Sequence, residues 1–164
     1  MSNKEKIQVV SSFEVYKTEQ DLSNEDRLLL MHARKSLESA YAPYSNFNVG
    51  AAILLENGEI VMGNNQENAA YPSSLCAERV AIYYAGAKYP GVKIKAIAVT
   101  VKAASQVINE PVTPCGACRQ AIAEYETRYE HKIRIIMAGE TGKVFISESI
   151  ESLLPLMFNK KHLK

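Results

Sequence analysis

The sequence predicts an α/β fold in which helices cover a mixed β-sheet. Asn57-Gly58 lies between two apolar segments, and this dipeptide is typical of an antiparallel hairpin. Residues 94–101 are apolar on both faces, as expected for a strand buried between two layers. Helical patterns separate the later strands, which favours a layered arrangement. A chain of 164 residues is long enough to bury its own core as one domain.

The N-terminal part of the chain carries two local patterns. Apolar residues alternate loosely before residue 16, which is compatible with a short strand or with a segment lying along the surface. Ser23 is followed by acidic residues and then by apolar residues at helical spacing, a pattern typical of a helix start. Pro43 disfavours helical geometry in the residue before it, so we expect this helix to end near Ala40.

The rest of the chain alternates strands and helices. The predicted elements are two hairpin strands, a helix, a strand, a helix, two strands and a last helix: Phe47–Leu55, Glu59–Met62, Leu75–Ala87, Ile94–Val101, Cys115–Tyr129, Ile133–Ala138, Lys143–Ile146 and Ser149–Leu154. No internal repeat or long linker is present. We therefore expect an N-terminal extension over residues 1–22 and a single domain over residues 23–164.

Charge and composition exclude several classes of function. Nineteen Lys and Arg residues against eighteen Asp and Glu give a net charge of +1, which disfavours binding to a polynucleotide. Polar residues interrupt every apolar run near the N-terminus, so no signal-peptide core is present, and no later run is long enough to span a membrane. We expect a soluble cytoplasmic protein with no nucleic-acid or membrane partner.

The three cysteines indicate a shared metal ion. An odd number cannot pair completely, which favours a reducing compartment. Cys115 and Cys118 are three residues apart at a predicted helix start, so both sulfurs can lie on one face, and Cys76 lies upstream. Three thiolates would leave one position of tetrahedral Zn²⁺ open to water. A redox pair or half of a structural zinc site are the alternatives for an isolated Cys-x-x-Cys.

A carboxylate accompanies the cysteines. Glu78 follows Cys76 by two residues, where it can take a proton from metal-bound water and return it to a substrate nitrogen. Cys-x-Glu followed by Pro-Cys-x-x-Cys is the pattern of the zinc deaminases. All three histidines lie outside the pattern, so the ligands would all be sulfur.

Further motifs make the chain similar to the small homotetrameric zinc-dependent cytidine deaminases. The resemblance runs from about residue 23 to residue 158. Five separated segments carry it: Ala42–Ala52, Asn65–Tyr71, Cys76–Arg79, Pro114–Gln120, and Leu153–Pro155 with Phe158. Val80 and Asn64 depart from the common pattern of the family, but neither is a predicted ligand or proton carrier.

The resemblance implies a fold, a metal and an assembly. We expect a three-layer α/β/α arrangement with a mixed, mostly five-stranded sheet, and a homotetramer with one Zn²⁺ per subunit. Cys76, Cys115 and Cys118 would bind the metal, and Glu78 would be catalytic.

The same resemblance assigns the substrate-binding residues. Asn65 and Glu67 would hold the ribose hydroxyls. Phe47, Tyr71, the backbone amide of Ala77 and Phe158 of a neighbouring subunit would contact or enclose the base. Arg79 would donate to the ligand sulfurs and offset their negative charge.

The implied reaction is hydrolytic deamination of cytidine and 2′-deoxycytidine to uridine and 2′-deoxyuridine with release of ammonia, for pyrimidine salvage. Three alternatives are a deaminase for a modified nucleoside, a zinc-stabilised binding protein without catalysis, and a nucleic-acid editing enzyme. Near-zero net charge disfavours the last of these.

Overall fold

The computed structural model describes residues 4–163. Residues 1–3 of the predicted extension and residue 164 of the predicted domain lie outside the described residues, and the division at residue 22 stays a prediction. The strands and helices are β1 (Glu14–Tyr16), α1 (Asn24–Ser36), β2 (Phe47–Leu55), β3 (Ile60–Asn64), α2 (Ala77–Lys88), β4 (Ile94–Ala103), α3 (Gly116–Tyr129), β5 (Arg134–Ala138) and β6 (Val144–Ser147).

The six strands form one mixed sheet in the order β1-β6-β5-β4-β2-β3. Only β4 and β5 are parallel neighbours; every other neighbouring pair is antiparallel. The prediction of a mostly five-stranded sheet omits β1, which pairs with β6 at the edge. This strand has three residues and a distant partner, so its weak local pattern gave no basis for placing it in the sheet.

Helices cover both faces of the sheet, which confirms the three-layer α/β/α prediction. On one face, α1 packs through Leu29, Leu30 and Ala33 into a cluster that includes Ile136. On the other face, α2 and α3 pack into a second cluster. Side chains of β2 alternate between the two clusters, with Ile53 in the second and its neighbours in the first, as the period of a strand requires.

Local signals set the early boundaries. Ser23 caps α1 by accepting a hydrogen bond from the backbone N–H of Asp26 (3.1 Å). A 3₁₀ turn over Leu37–Ser39 then brings the chain to Ala40, where the helix was predicted to end. The hairpin between β2 and β3 forms as predicted, with Gly58 at φ 84° in the turn.

The predicted last helix is wrong. Residues 149–154 contain only the 3₁₀ turn Ile150–Ser152. Pro155 disfavours helical geometry in the preceding residue. The buried carboxylate of Glu126 also accepts the backbone N–H of Ile150 (3.0 Å), which satisfies that donor without a longer helix.

Two helix starts meet beside the sheet. Cys76 is the N-cap residue of α2, and Cys115 is the N-cap residue of α3. Their Sγ atoms lie 3.7 Å apart, so the fold brings together residues 39 positions apart in the sequence. Within residues 4–163, none of the helices has both the length and the apolar character needed to cross a membrane.

Candidate active site and metal centre

Three sulfur atoms form a compact cluster at the two helix starts. Cys115 Sγ lies 3.5 Å from Cys118 Sγ and 3.7 Å from Cys76 Sγ, and all three atoms lie within 4.8 Å of one another. Tetrahedral Zn–S bonds of about 2.3 Å put ligand sulfurs about 3.8 Å apart. The spacing therefore fits one zinc ion, and the third cysteine argues against an isolated redox pair.

The surroundings favour thiolate character at the cluster. A hydrogen bond from the Cys118 thiol, supported by the Arg79 guanidinium, lowers the pKa of Cys76 to about 5. The same hydrogen bond and burial raise the pKa of Cys118. N-terminal helix ends also stabilise negative charge. Metal ligation requires deprotonated sulfur, so Cys76 is already suited to it.

Glu78 is the buried carboxylate of the site. It lies in the first turn of α2 with 4% of its surface exposed, and its Oε2 has no hydrogen-bond partner among the described residues. Burial raises the pKa of Glu78, and the nearby charge of Cys76 raises it further. An unpartnered buried carboxylate oxygen is costly unless a ligand supplies the partner. Glu78 is therefore suited to exchange a proton with a bound molecule.

Arg79 supplies positive charge to the same cluster. Its Nη2 donates to Cys76 Sγ over 3.9 Å and to the backbone carbonyl of Ser74 over 3.4 Å. A cation beside three thiolates reduces their combined negative charge and preserves the electrophilic character of a metal bound there.

A cavity of about 620 Å³ opens beside Cys76. This volume lies within the range of small-molecule sites. Four of the predicted substrate-binding residues line it: Phe47, Asn65, Glu67 and Tyr71. The seven other lining residues are Tyr44, Ser45, Val49, Ser74, Leu75, Cys76 and Arg79. Apolar and polar groups thus converge on one space next to the sulfur cluster.

Asn65 is held across the start of β2. Its Oδ1 accepts from the backbone N–H of Val49 (2.8 Å), and its Nδ2 donates to the carbonyl of Phe47 (2.9 Å). These bonds use one amide hydrogen and one lone pair. The second hydrogen and the second lone pair are available to a ligand.

Glu67 anchors the loop before β2. Its carboxylate accepts the backbone N–H groups of Tyr44 (2.9 Å) and Ser45 (3.3 Å) and the hydroxyl of Ser45. The Ser45 hydrogen bond is the main reason why the pKa of Glu67 lies below its ordinary value. Glu67 is therefore an anionic acceptor at neutral pH.

A family model described as the cytidine and deoxycytidylate deaminase zinc-binding region matches residues 23–130. The chain belongs to this deaminase family. A cytidine deaminase from Sporosarcina psychrophila is 40% identical over 136 residues, which cover 82% of this chain and 92% of the relative. A cytidine deaminase from Halalkalibacterium halodurans is 43% identical over 98 residues, which cover 60% of this chain and 70% of the relative.

Solved structures of cytidine deaminases agree with this fold. The crystal structure from Burkholderia pseudomallei is 37% identical and has a TM-score of 0.71, covering 84% of this chain and all of that chain. The crystal structure of the cytidine deaminase from Mycobacterium tuberculosis is 28% identical and has a TM-score of 0.64. The match covers 84% of this chain and 99% of that chain. The predictions of family and fold class are confirmed, and the zinc-binding region of the deaminase family contains all three cysteines.

Two of the predicted substrate-binding residues, Tyr71 and Phe158, lie away from the interior of the pocket. Tyr71 is 71% exposed at the pocket mouth, where its ring meets the edge of Tyr44. Phe158 is 57% exposed, stacks on His162 and is not among the residues that line the pocket of its own chain. Ala77 is buried at the start of α2, beside Cys76.

Two residues that support the site through hydrogen bonds, Arg119 and Ser45, were not predicted as site residues. Arg119 donates to the backbone carbonyls of Pro114 and Leu153, each over 2.7 Å, and so fixes the loop before Cys115. Ser45 bonds to Glu67 and accepts the N–H of Phe47 (3.1 Å). A serine bonded to the amide two residues on is a known turn pattern, and this was the available signal for Ser45.

Proposed function

We propose that the protein hydrolyses cytidine and 2′-deoxycytidine to uridine and 2′-deoxyuridine with release of ammonia. One observation carries the proposal: the unpartnered Oε2 of buried Glu78 belongs to a side chain that interacts with the cysteine cluster, and Cys76 of that cluster lines a pocket of about 620 Å³. The curated relatives named as cytidine deaminases support this choice of substrate.

Cys76, Cys115 and Cys118 would hold one Zn²⁺ per chain. When bound, the ion would act as a Lewis acid and lower the pKa of a coordinated water. The sulfur spacing, the low pKa of Cys76 and the adjacent Arg79 support this ligand set.

Glu78 would carry the protons of the reaction. It takes one proton from the attacking water, whose oxygen forms a bond to C4 of the base, and gives that proton to N3. It then transfers the remaining proton of the added water to the amino group, the C4–N bond breaks, and ammonia leaves. Water is the only co-reactant, and Glu78 acts first as base and then as acid.

The pocket residues would bind the nucleoside. Asn65 and Glu67 face the cavity with unused hydrogen-bonding capacity, which suits the sugar hydroxyls. Phe47 offers an aromatic surface for the base, and Tyr71 closes the mouth of the pocket. The backbone amide of Ala77, next to Cys76 at the start of α2, would bind the base. A 3′-phosphate beside anionic Glu67 would be repelled, which favours a free nucleoside over a polynucleotide.

Assembly and location complete the proposal. We infer a homotetramer in which the exposed Phe158 enters a neighbouring site, and sedimentation velocity checks the mass against four times 18.2 kDa. Free thiols at the proposed metal centre require reducing conditions, which supports a cytoplasmic role in pyrimidine salvage.

The test is the ultraviolet absorbance change of cytidine with native enzyme and with Glu78→Gln. The variant keeps the volume of the side chain but cannot transfer protons, so we expect kcat to fall by about 10²–10⁴-fold with zinc content unchanged. Glu124→Gln, an exposed glutamate on α3, is the matched control and should behave as native.

A substrate panel tests the proposed substrate class and the proposed metal. Cytidine and deoxycytidine should react, whereas cytosine and cytidine monophosphate should react poorly, and a zinc chelator should abolish turnover. Near-native kcat in Glu78→Gln removes Glu78 from the mechanism. A zinc-loaded native sample that leaves cytidine unchanged supports a binding protein without catalysis.

A further inference from the structure

Ser45 connects the two parts of the pocket that would meet the sugar and the base. Its Oγ donates to Oε1 of Glu67 and accepts the backbone N–H of Phe47 (3.1 Å). Ser45 itself lines the cavity. A single hydroxyl thus contacts the proposed sugar-binding carboxylate and the backbone of the proposed base-binding aromatic residue.

The Glu67 carboxylate has limited acceptor capacity left. Oε2 accepts the backbone N–H groups of Tyr44 and Ser45, and Oε1 accepts the Ser45 hydroxyl. Each carboxylate oxygen offers about two lone-pair positions. Three of the four are used, so the one free position lies on Oε1, the oxygen that Ser45 holds.

The rest of the loop fixes Ser45 in place. Asn46 adopts a left-handed conformation at φ 54°, and its carbonyl accepts the N–H of Ala104 (3.1 Å) beyond the end of β4. The N–H of Asn46 donates to the carbonyl of Ala42 (3.0 Å). Because both backbone polar groups of the neighbouring Asn46 are hydrogen-bonded, the Ser45 hydroxyl is preorganised toward Glu67.

We propose that Ser45 is a positioning residue for sugar recognition: its hydroxyl orients Glu67 so that the free acceptor position on Oε1 receives the 2′- or 3′-hydroxyl of the nucleoside. The inference rests on the proposed function, in which Glu67 binds the sugar, and adds the residue that sets its orientation. Loss of this hydroxyl affects ligands with a 2′- or 3′-hydroxyl and spares ligands that lack both.

Calorimetry with uridine and 2′,3′-dideoxyuridine tests the proposal without requiring turnover. Ser45→Ala should weaken uridine binding about tenfold, the size expected for one hydrogen bond to a charged group, and change dideoxyuridine binding less than about twofold. Ser45→Thr keeps the hydroxyl and should restore most of the uridine affinity. Ser73→Ala, an exposed serine on the 3₁₀ turn Tyr71–Ser73, is the matched control.

Turnover gives a second measurement. Ser45→Ala should raise KM for cytidine about tenfold with kcat within about twofold of native, because the protein groups at C4 are untouched. A general disturbance of the pocket would weaken both calorimetric ligands equally or lower kcat. Either result overturns the proposal, as does unchanged uridine binding or a threonine variant that binds no better than alanine.

Other measurements show whether the proposed function itself fails. Equal binding of uridine and dideoxyuridine to the native chain contradicts sugar binding by Glu67, and with it the role of Ser45. The cytidine absorbance assay on native enzyme judges deamination independently of both.

Discussion

Single buried side chains hold segments that are distant in sequence. The carboxylate of Glu126, near the end of α3, accepts the backbone N–H groups of Ile133 (2.8 Å) and Ile150 (3.0 Å) and the hydroxyl of Ser149 (2.9 Å). One residue therefore joins a helix, the residue before β5 and the turn that leads toward Phe158. The sequence marks Glu126 only as a polar position on a helix, because its partners come from elsewhere in the chain.

Replacing Glu126 with Ala should lower the free energy of unfolding by about 3 kcal/mol, because it leaves two buried backbone N–H groups and a hydroxyl without an acceptor. For a chain of this length that corresponds to a fall in Tm of roughly 10 °C, measurable by calorimetry. Glu126→Gln retains a carbonyl oxygen for both amides and should lose less than half as much. Equal losses in the two variants would show that burial alone matters at this position.

At the scale of elements, β3 and α2 lie unusually close. A Cβ atom built on Gly63 would lie 2.6 Å from the backbone nitrogen of Ala81 and 2.7 Å from the carbonyl oxygen of Ala77. These are backbone atoms that cannot rotate away. The absence of a side chain at Gly63 therefore sets the position of the helix whose first turn carries Glu78.

Gly63→Ala should displace α2 from the sheet. Overpacking of this kind costs about 1–3 kcal/mol, and we expect a lower Tm together with weaker zinc retention against a competing chelator. Gly116→Ala is the matched substitution, since a methyl group there meets no atom within 4 Å among the described residues, apart from its chain neighbours and its own helix. Its Tm should remain near native. A native Tm for Gly63→Ala would show that the helix can shift without cost.

Elements with strong local signals were predictable, and those that depend on distant partners were not. Ser23 and Asn57-Gly58 carry their own capping and turn chemistry, so α1 and the hairpin agree with prediction. Cys-x-Glu and Cys-x-x-Cys indicated the cysteine cluster because the ligand chemistry lies in the spacing. The link between Ser45 and Glu67 depends on two loops meeting, which no local pattern encodes.

At the scale of the whole molecule, β1 attaches the N-terminal segment to the sheet. Residues 4–13 form no helix or strand, and Val10 is 73% exposed. Beyond them, β1 pairs with β6, and Arg134 binds Glu14 (3.3 Å), Glu148 (2.8 Å) and Asp26. Arg134 therefore joins the edge strand to α1 and to the chain after β6.

Two truncations measure this attachment. Removing residues 1–12 leaves β1 and its contacts in place, so we expect Tm to change by no more than about 2 °C. Removing residues 1–22 deletes β1, the Glu14–Arg134 pair and the buried side chain of Leu22, so Tm should fall by several times that amount. Equal melting temperatures would mean that β1 adds nothing to the stability of the sheet.

The pairing of β1 with β6 also sets a waiting time during synthesis. Glu14 pairs with Ile146, so about 130 residues, on the order of ten seconds of translation, separate the appearance of the two partners. Throughout that interval β1, which contains Val15, is an unpaired strand preceded by Phe13, and such a segment promotes aggregation. Charged residues surround Phe13 and Val15 on the chain, with Glu14 between them and Lys17 after them. Charged residues that flank an apolar strand in this way oppose its aggregation before the partner strand has been made.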